Sequence, residues 1–237
     1  MANLWLDSVR GAFDGVDVPR RSQFARIGMA TRRIIESVVA SKAPTDELAR
    51  LADEIEEVAT RIEKYPRGRV YEGFAEAANS GGNASFMDFS PISGEANPIA
   101  APVRLSVAQD EDGVSMIVGE VTFNGAYEGP PGCVHGGHLA AAFDEVLGLA
   151  QSLSGSPGMT ARLTVNYRKP TPLHQLLRFE ARISRREGRK VFTEGKCFAN
   201  GIMTAEADAL FISVDFTSLA ELAAKRENED ADGSAKG

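Results

Sequence analysis

The run Gly137–Leu153, GHLAAAFDEVLGLAQSL, constrains the fold more than any other part of this chain. Nearly every position is small or apolar on all helical faces, as in a helix packed inside a sheet rather than on a surface. Alternating stretches rich in β-branched residues surround it. VRLSVAQ and VSMIVGEVTFN precede it; ARLTVNYR, LRFEARISR, KVFTEGKCFA and MTAEADALFISVDF follow. Turn signals separate them: Asp110 to Gly113, then PTPLHQ, REGR and ANG. One helix with five or six strands in meander order predicts an α+β architecture, an antiparallel sheet wrapped around a central helix.

The N-terminal third has a different texture. Ile27, Ile34, Ile35, Val38 and Val39 recur at helical spacings, as do Leu48, Leu51, Ile55, Val58 and Ile62. The break at Lys42-Ala43-Pro44-Thr45, with Thr45 as cap, predicts a helical hairpin. The segment from Arg20 to Arg33 is Arg-rich and almost free of acids, which suits an amphipathic surface helix better than an organelle transit helix. From Tyr65 to Pro102 the chain turns to Pro, Gly, Ser and Asn without period. Phe86, Met87, Phe89 and Ile92 give that segment apolar anchors, as expected of chain packed over a cleft. The expected division is a helical extension (1–65), an irregular segment packed on the core (66–102), the sheet-and-helix domain (103–217) and a polar, disordered tail (218–237).

A net charge of −7 and a pI near 5.1 lack the basic footprint of a nucleic-acid binder. They still allow a local basic patch for a phosphate-bearing ligand. Every apolar run is interrupted well before membrane-spanning length, so no membrane partner is expected. The first residues lack the basic start and apolar core of a secretory signal. Two cysteines, Cys133 and Cys197, suit a reducing compartment, and the expected location is the cytoplasm. Cys133 sits two residues before His135. Nothing in the sequence fixes a base beside it, so a small packed thiol is the preferred reading over a nucleophile.

Asp144 and Glu145 are the only charged residues between His138 and Ser152. Adjacent carboxylates in such surroundings need a reason, either a narrow solvated strip or a functional group. The glycines Gly136 and Gly137 fall in the first helical turn, where backbone N–H groups lack intrahelical partners. Such donors, aided by the helix dipole, can hold a carbonyl oxygen that becomes an oxyanion. A plain turn accounts for a Gly pair equally well.

Taken together, YEGPPGCVHGGHLAAAFDEVLG (Tyr127–Gly148), Gly158-Met159-Thr160, LTVNYRKPTPL, EGRKVF and EADALFIS resemble the hotdog-fold acyl-CoA thioesterases. The phenylacetate-pathway type and the mammalian thioesterase-superfamily members are the nearest kinds, and the likeness spans about Val114 to Val214. The resemblance implies a hotdog fold and hydrolysis of acyl-CoA in fatty acid metabolism without metal or other cofactor. It assigns the acid/base or nucleophilic carboxylate to Asp144, the donor to the thioester carbonyl to Gly136, and the residue that positions water to Thr160. It gives His135, with Gly137, a role in ordering the loop and helix start against substrate. Some relatives have an Asn upstream of the HGG, where this chain has Glu128 and Gly129.

One consequence needs only helix geometry. Gly136 and Asp144 are eight residues apart, about 12 Å along one helix, whereas base, water and carbonyl must meet within hydrogen-bond reach. If both act on one carbonyl, they come from different subunits. A homodimer, or a dimer of dimers, is therefore expected. For the CoA end the candidate cations are Arg168 and Lys169, with Arg189 and Lys190 of a turn that also holds Arg185 and Arg186; ordinary solubilising charge is the competing reading. The acyl chain is expected between the helix and the irregular segment. His135 and His138, at i and i+3, lack a third metal ligand. A hydratase would need an Asp and a His closer together. A non-catalytic acyl-CoA-binding or sensor protein is the alternative, and it would have no need of Asp144.

Overall fold

Six strands form one antiparallel sheet: β1 (Arg104–Gln109), β2 (Ser115–Thr122), β3 (Gly158–Tyr167), β4 (Leu176–Glu187), β5 (Lys190–Ala199) and β6 (Ile202–Ser213). Their order across the sheet is β1-β2-β4-β5-β6-β3, with β1 and β3 at the edges. The computed structural model describes residues 19–66, 88–110, 112–156 and 158–213. The polar tail expected at 218–237 lies outside these residues, as do Phe86 and Met87. The β5–β6 hairpin turns on Asn200 and Gly201, both at positive φ (49° and 76°), the backbone that a two-residue hairpin loop requires.

The central helix, α3 (Gly136–Ser152), lies across one face of the sheet and contacts β2 to β6. Phe143 meets Phe179 edge to face at 5.0 Å, and Val146 and Leu147 are fully covered beside Ile117, Leu177 and Phe211. Two strand glycines let the helix settle this closely. A Cβ on Gly119 would stand 2.7 Å from a Val146 methyl, and one on Gly195 would stand 3.2 Å from Leu147. The fold is the expected hotdog arrangement, with one refinement. The buried positions, Leu139, Ala142, Phe143, Val146, Leu147 and Ala150, form one face of α3; Ala140, Ala141, Asp144 and Gly148 on the other are half-buried.

Residues 88–103 form an ordered irregular layer on the helix side. Ala100 and Val103 are buried, Ala96 N–H donates to Asp88 O, and Asn97 Nδ2 donates to Phe89 O. Helix α1 (Pro19–Val39) docks on this layer. Phe24 stacks edgewise on Phe89, and Arg32 donates to the carbonyls of Glu95 and Asn97 at 3.0 and 2.9 Å. Gly28 is buried there because a Cβ would strike Glu95 O at 2.5 Å.

Helix α2 (Thr45–Glu63) begins one residue earlier than a Thr45 cap would place it. Pro44 occupies the cap position, and no side chain caps the helix. Both N-terminal helices form where the periodicity places them, but they do not close into a packed hairpin. They share almost no contact, and no residue of α2 is buried. The extended Pro44 (φ −60°, ψ 153°) sends α2 away while α1 is committed to the irregular layer.

Gly119→Ala is expected to cost about 1–3 kcal/mol of unfolding free energy by overpacking against Val146. Urea denaturation measures it, and Val146→Ala in the same chain should recover part of the loss.

Candidate active site

The start of α3 distributes its free donors unevenly. His135, at the N-cap, accepts the Gly137 N–H through Nδ1 at 3.0 Å. The N–H groups of His138 and Leu139 both reach His135 O, at 3.0 and 3.4 Å. That leaves Gly136 N–H, which makes no hydrogen bond among the described residues. The loop ahead is closed by Glu128, whose Oε1 accepts from Gly132 N–H at 2.6 Å; where some relatives have Asn, this side chain is engaged in loop closure.

Eight residues on, Asp144 Oδ1 accepts the Thr160 hydroxyl at 2.9 Å. The structure thus brings together two residues that the sequence separates by sixteen positions. Thr160 sits on edge strand β3 beside a register shift between Thr160 and Arg162 in its pairing with β6. Gly136 and Asp144 remain two turns apart on one helix, as the spacing requires.

Two contacts at this site carry no signal in the sequence pattern. Tyr167, the last residue of β3, donates its hydroxyl to Gly136 O at 2.8 Å and ties the helix start to the strand. Glu145, adjacent to Asp144, points to the other flank of α3. It accepts from Ser90 Oγ at 2.8 Å and from Ser93 Oγ. Glu145 therefore fastens the irregular layer onto α3, just where the acyl chain was expected to lie. A surface groove lies elsewhere, on the far side of the sheet between Arg182, Glu194, Glu206 and Asp208.

The cations expected to meet CoA fall into two groups at opposite ends of β3. Arg168 is ion-paired with Glu206, and Lys169 follows it at the Tyr167 end. Arg189 donates to Ser213 O at 3.0 Å and Lys190 pairs with Ile212, both beside the Gly158 end. Arg185 stacks on Phe192 at 3.9 Å, and Arg186 is bound to Ser154 O and Ser156 Oγ. Of the two thiols, Cys197 is buried, and burial pushes it up to about 11. Cys133 is half-buried and unpaired.

A family model described as the thioesterase superfamily matches residues 131–206. The crystal structure of a thioesterase superfamily protein is 31% identical, with a TM-score of 0.68, and the likeness covers 80% of this chain and 94% of that one. The chain belongs to the thioesterase superfamily. Coverage of 80% reaches well beyond residues 104–213, so the likeness to this member takes in N-terminal chain as well as the core. The chain is also similar to proteins named acyl-coenzyme A thioesterase THEM4. It is 38% identical to that of Xenopus laevis over 89 residues, 37% of this chain and 40% of the relative. It is 35% identical to that of Bos taurus over 92 residues, 37% of each. These matches span about two fifths of the relatives' length.

The two flanks of α3 should respond separately. Glu145→Ala is expected to raise amide hydrogen exchange across residues 90–97, whereas Asp144→Ala leaves that segment protected. A pH effect follows from His138, whose ring packs edgewise on Tyr127 at 4.9 Å. Burial, then the charge of His135, hold it below the ordinary 6.5. The unfolded chain takes up this proton more readily, so the contribution is complete above about pH 6.5 and is lost as pH falls through the lower folded value. Denaturant midpoints between pH 5 and 8 should show that decline, and His138→Gln should flatten it.

Proposed function

We propose that this protein hydrolyses acyl-CoA thioesters to free acid and CoA at sites shared between two subunits. The observation that carries the reading is one helix with two chemically distinct ends. An unbonded Gly136 N–H stands at its start, and two turns on a carboxylate, Asp144, is oriented by the Thr160 hydroxyl. The names of the THEM4 relatives support acyl-CoA as the substrate class.

In this reading the thioester oxygen accepts from Gly136 N–H of one subunit, where the helix dipole favours developing negative charge. Asp144 of the other subunit takes a proton from water as the water oxygen adds to the carbonyl carbon. Thr160 donates to Asp144, which leaves its own oxygen lone pairs free to accept from that water. The C–S bond then breaks, and the CoA thiolate recovers the proton. Direct attack by Asp144, forming a mixed anhydride that water then opens, uses the same groups. His135 holds Gly137 N–H and so keeps the helix start in shape.

Two features support the second subunit. The half-buried flank of α3 that carries Asp144 is lined by Ala140, Ala141 and Gly148, small residues that another helix can approach closely. Strand β3 is a ten-residue sheet edge with one side unpaired, a template for pairing with a second copy. The acyl chain is assigned to that small-residue flank, because Glu145 closes the other. Two-fold symmetry then brings Arg168 and Lys169 of the Gly136 donor, and Arg189 and Lys190 of the Asp144 donor, to the same site to meet CoA phosphates. We assign the protein to the cytoplasm on its two free thiols; no helix among the described residues is long and apolar enough to cross a membrane.

The test is release of free CoA thiol from acyl-CoAs of graded chain length. Asp144→Ala should lower kcat by about 10²–10⁴-fold. Gly136→Pro removes the single N–H at a helix position that tolerates proline, and His135 already has the extended backbone (φ −61°, ψ 132°) that a following proline demands. Each variant should be inactive alone. Co-expressed, they should recover about a quarter of wild-type activity, since half the dimers are mixed and each mixed dimer has one intact site. A wild-type protein that binds acyl-CoA and releases no thiol above background would instead be a sensor.

A further inference from the structure

Helix α2 has an apolar seam with no partner. Leu48, Leu51, Ile55, Val58 and Ile62 recur at alternating three- and four-residue steps, the a/d period of a coiled coil, and all are 40–55% exposed. Helix α1 has its own exposed seam on a flank beside the face that meets the irregular layer. Ile27, Ile34 and Val38 are 48%, 43% and 56% exposed there.

The charges decide what covers them. The α2 sequence has two arginines against seven carboxylates, a net charge of −5. The α1 sequence has five arginines against one glutamate, a net charge of +4. The positions beside the seams match as well. Glu47 and Glu54 each precede a seam residue, Leu48 and Ile55, and stand seven apart. Arg26 and Arg33 precede Ile27 and Ile34 with the same interval. Set antiparallel, the two seams bring these rows of opposite sign face to face. Two α2 helices would instead repel, and an acidic polar face is the wrong sign for an anionic lipid surface. The chain's own α1 has the right charge, but the linker keeps it away. Ser41 Oγ accepts Ala43 N–H at 3.1 Å, Pro44 is extended, and the two helices share almost no contact. A short linker that holds two complementary elements apart favours pairing between chains, the logic of domain exchange.

We propose that α2 of one chain docks its seam on α1 of a second copy of this chain, and reciprocally, so that the N-terminal arms are exchanged across the two-fold axis. The proposal rests on the dimer reading and adds to it a defined function for the N-terminal extension. Arms joined in this way brace the irregular layer on which α1 lies, beside the Glu145 flank of α3.

Cysteine cross-linking of the full chain tests it. In a Cys133→Ser background, chains carrying Ile27→Cys, which the antiparallel charge rows set opposite Ile55, are co-expressed with chains carrying Ile55→Cys and mildly oxidised. A disulfide-linked dimer holding about half of the chains is expected on denaturing gels, since half the dimers are mixed. The reversal Glu47→Arg with Glu54→Arg should reduce it several-fold, and adding Arg26→Glu with Arg33→Glu should restore it. A single chain with both cysteines that gives only the internally bridged monomer would show the hairpin closed on itself and overturn the proposal, as would no cross-link at all. Native mass by light scattering separates the two readings. A dimeric mass without cross-links between chains rejects arm exchange and leaves the dimer standing, whereas a monomeric mass rejects both.

Discussion

Helix α3 and edge strand β3 run antiparallel side by side and are joined at three levels. The Tyr167 hydroxyl bonds Gly136 O at the helix start, the Thr160 hydroxyl bonds Asp144 in the middle, and buried Gln151 accepts Gly158 N–H near the helix end. Beneath them Val146 and Leu147 press onto strands cleared by Gly119 and Gly195. The sheet contact fixes the rotation of α3 about its axis, and the three tethers fix its axial position. Both coordinates matter, because a helix turned by one residue, about 100°, would exchange the surroundings of Asp144 and Glu145. As packed, one carboxylate faces the strand edge and its neighbour faces the irregular layer. Burial of the large side chains therefore gives two adjacent acids different partners.

The same register selects one donor at the helix start. A first turn begins with several unpartnered N–H groups. Here His135 takes the Gly137 N–H with its ring and those of His138 and Leu139 with its carbonyl. The loop behind is held by Glu128 on Gly132, and the helix start is held in front by Tyr167. One N–H remains, on a residue with no side chain to obstruct a ligand. An isolated donor in a braced turn is the preorganised kind of group that stabilises developing charge without first having to rearrange.

Much of the fold was legible in the sequence, because period two and an all-round apolar helix are strong signals. The strands at VRLSVAQ, KVFTEGKCFA and the others form where alternation placed them, and α3 matches its expected span to within a residue. The nearness of Thr160 to Asp144 came from resemblance, since no spacing rule joins a helix to a strand sixteen residues later. The Tyr167 and Glu145 contacts escaped for a related reason: their partners are a backbone carbonyl and two serines in a segment without period. Helix α3 is buried against the sheet as its composition implied, and only through one face, since small residues read as apolar whether they meet the sheet or leave room for something else. The two N-terminal helices and the short turn between them were legible too, but not what covers their apolar stripes. Periodicity finds an apolar stripe but says nothing of which surface covers it, and here each stripe lies outside its own chain's core.

The basic residues carry the argument for two chains one step further. Arg168 and Lys169 follow Tyr167, so they belong to the Gly136 end of β3; Arg189 and Lys190 lie next to Ser213 and Ile212, so they belong to the Gly158 end, near Thr160. Ten residues of strand separate these ends, about 30 Å at a strand's rise per residue, too far for one bound CoA to meet both groups in a single chain. The oxyanion donor and the carboxylate are split between the same two ends. A two-fold axis that joins Gly136 of one chain to Asp144 of another must also join one basic pair to the other. In the proposed reading, chemistry and ligand charge therefore call for the same symmetry, the first through the rise of a helix and the second through the length of a strand. An arrangement that met only one of these demands would leave a site able to bind CoA without cleaving it, or to cleave a thioester it could not hold.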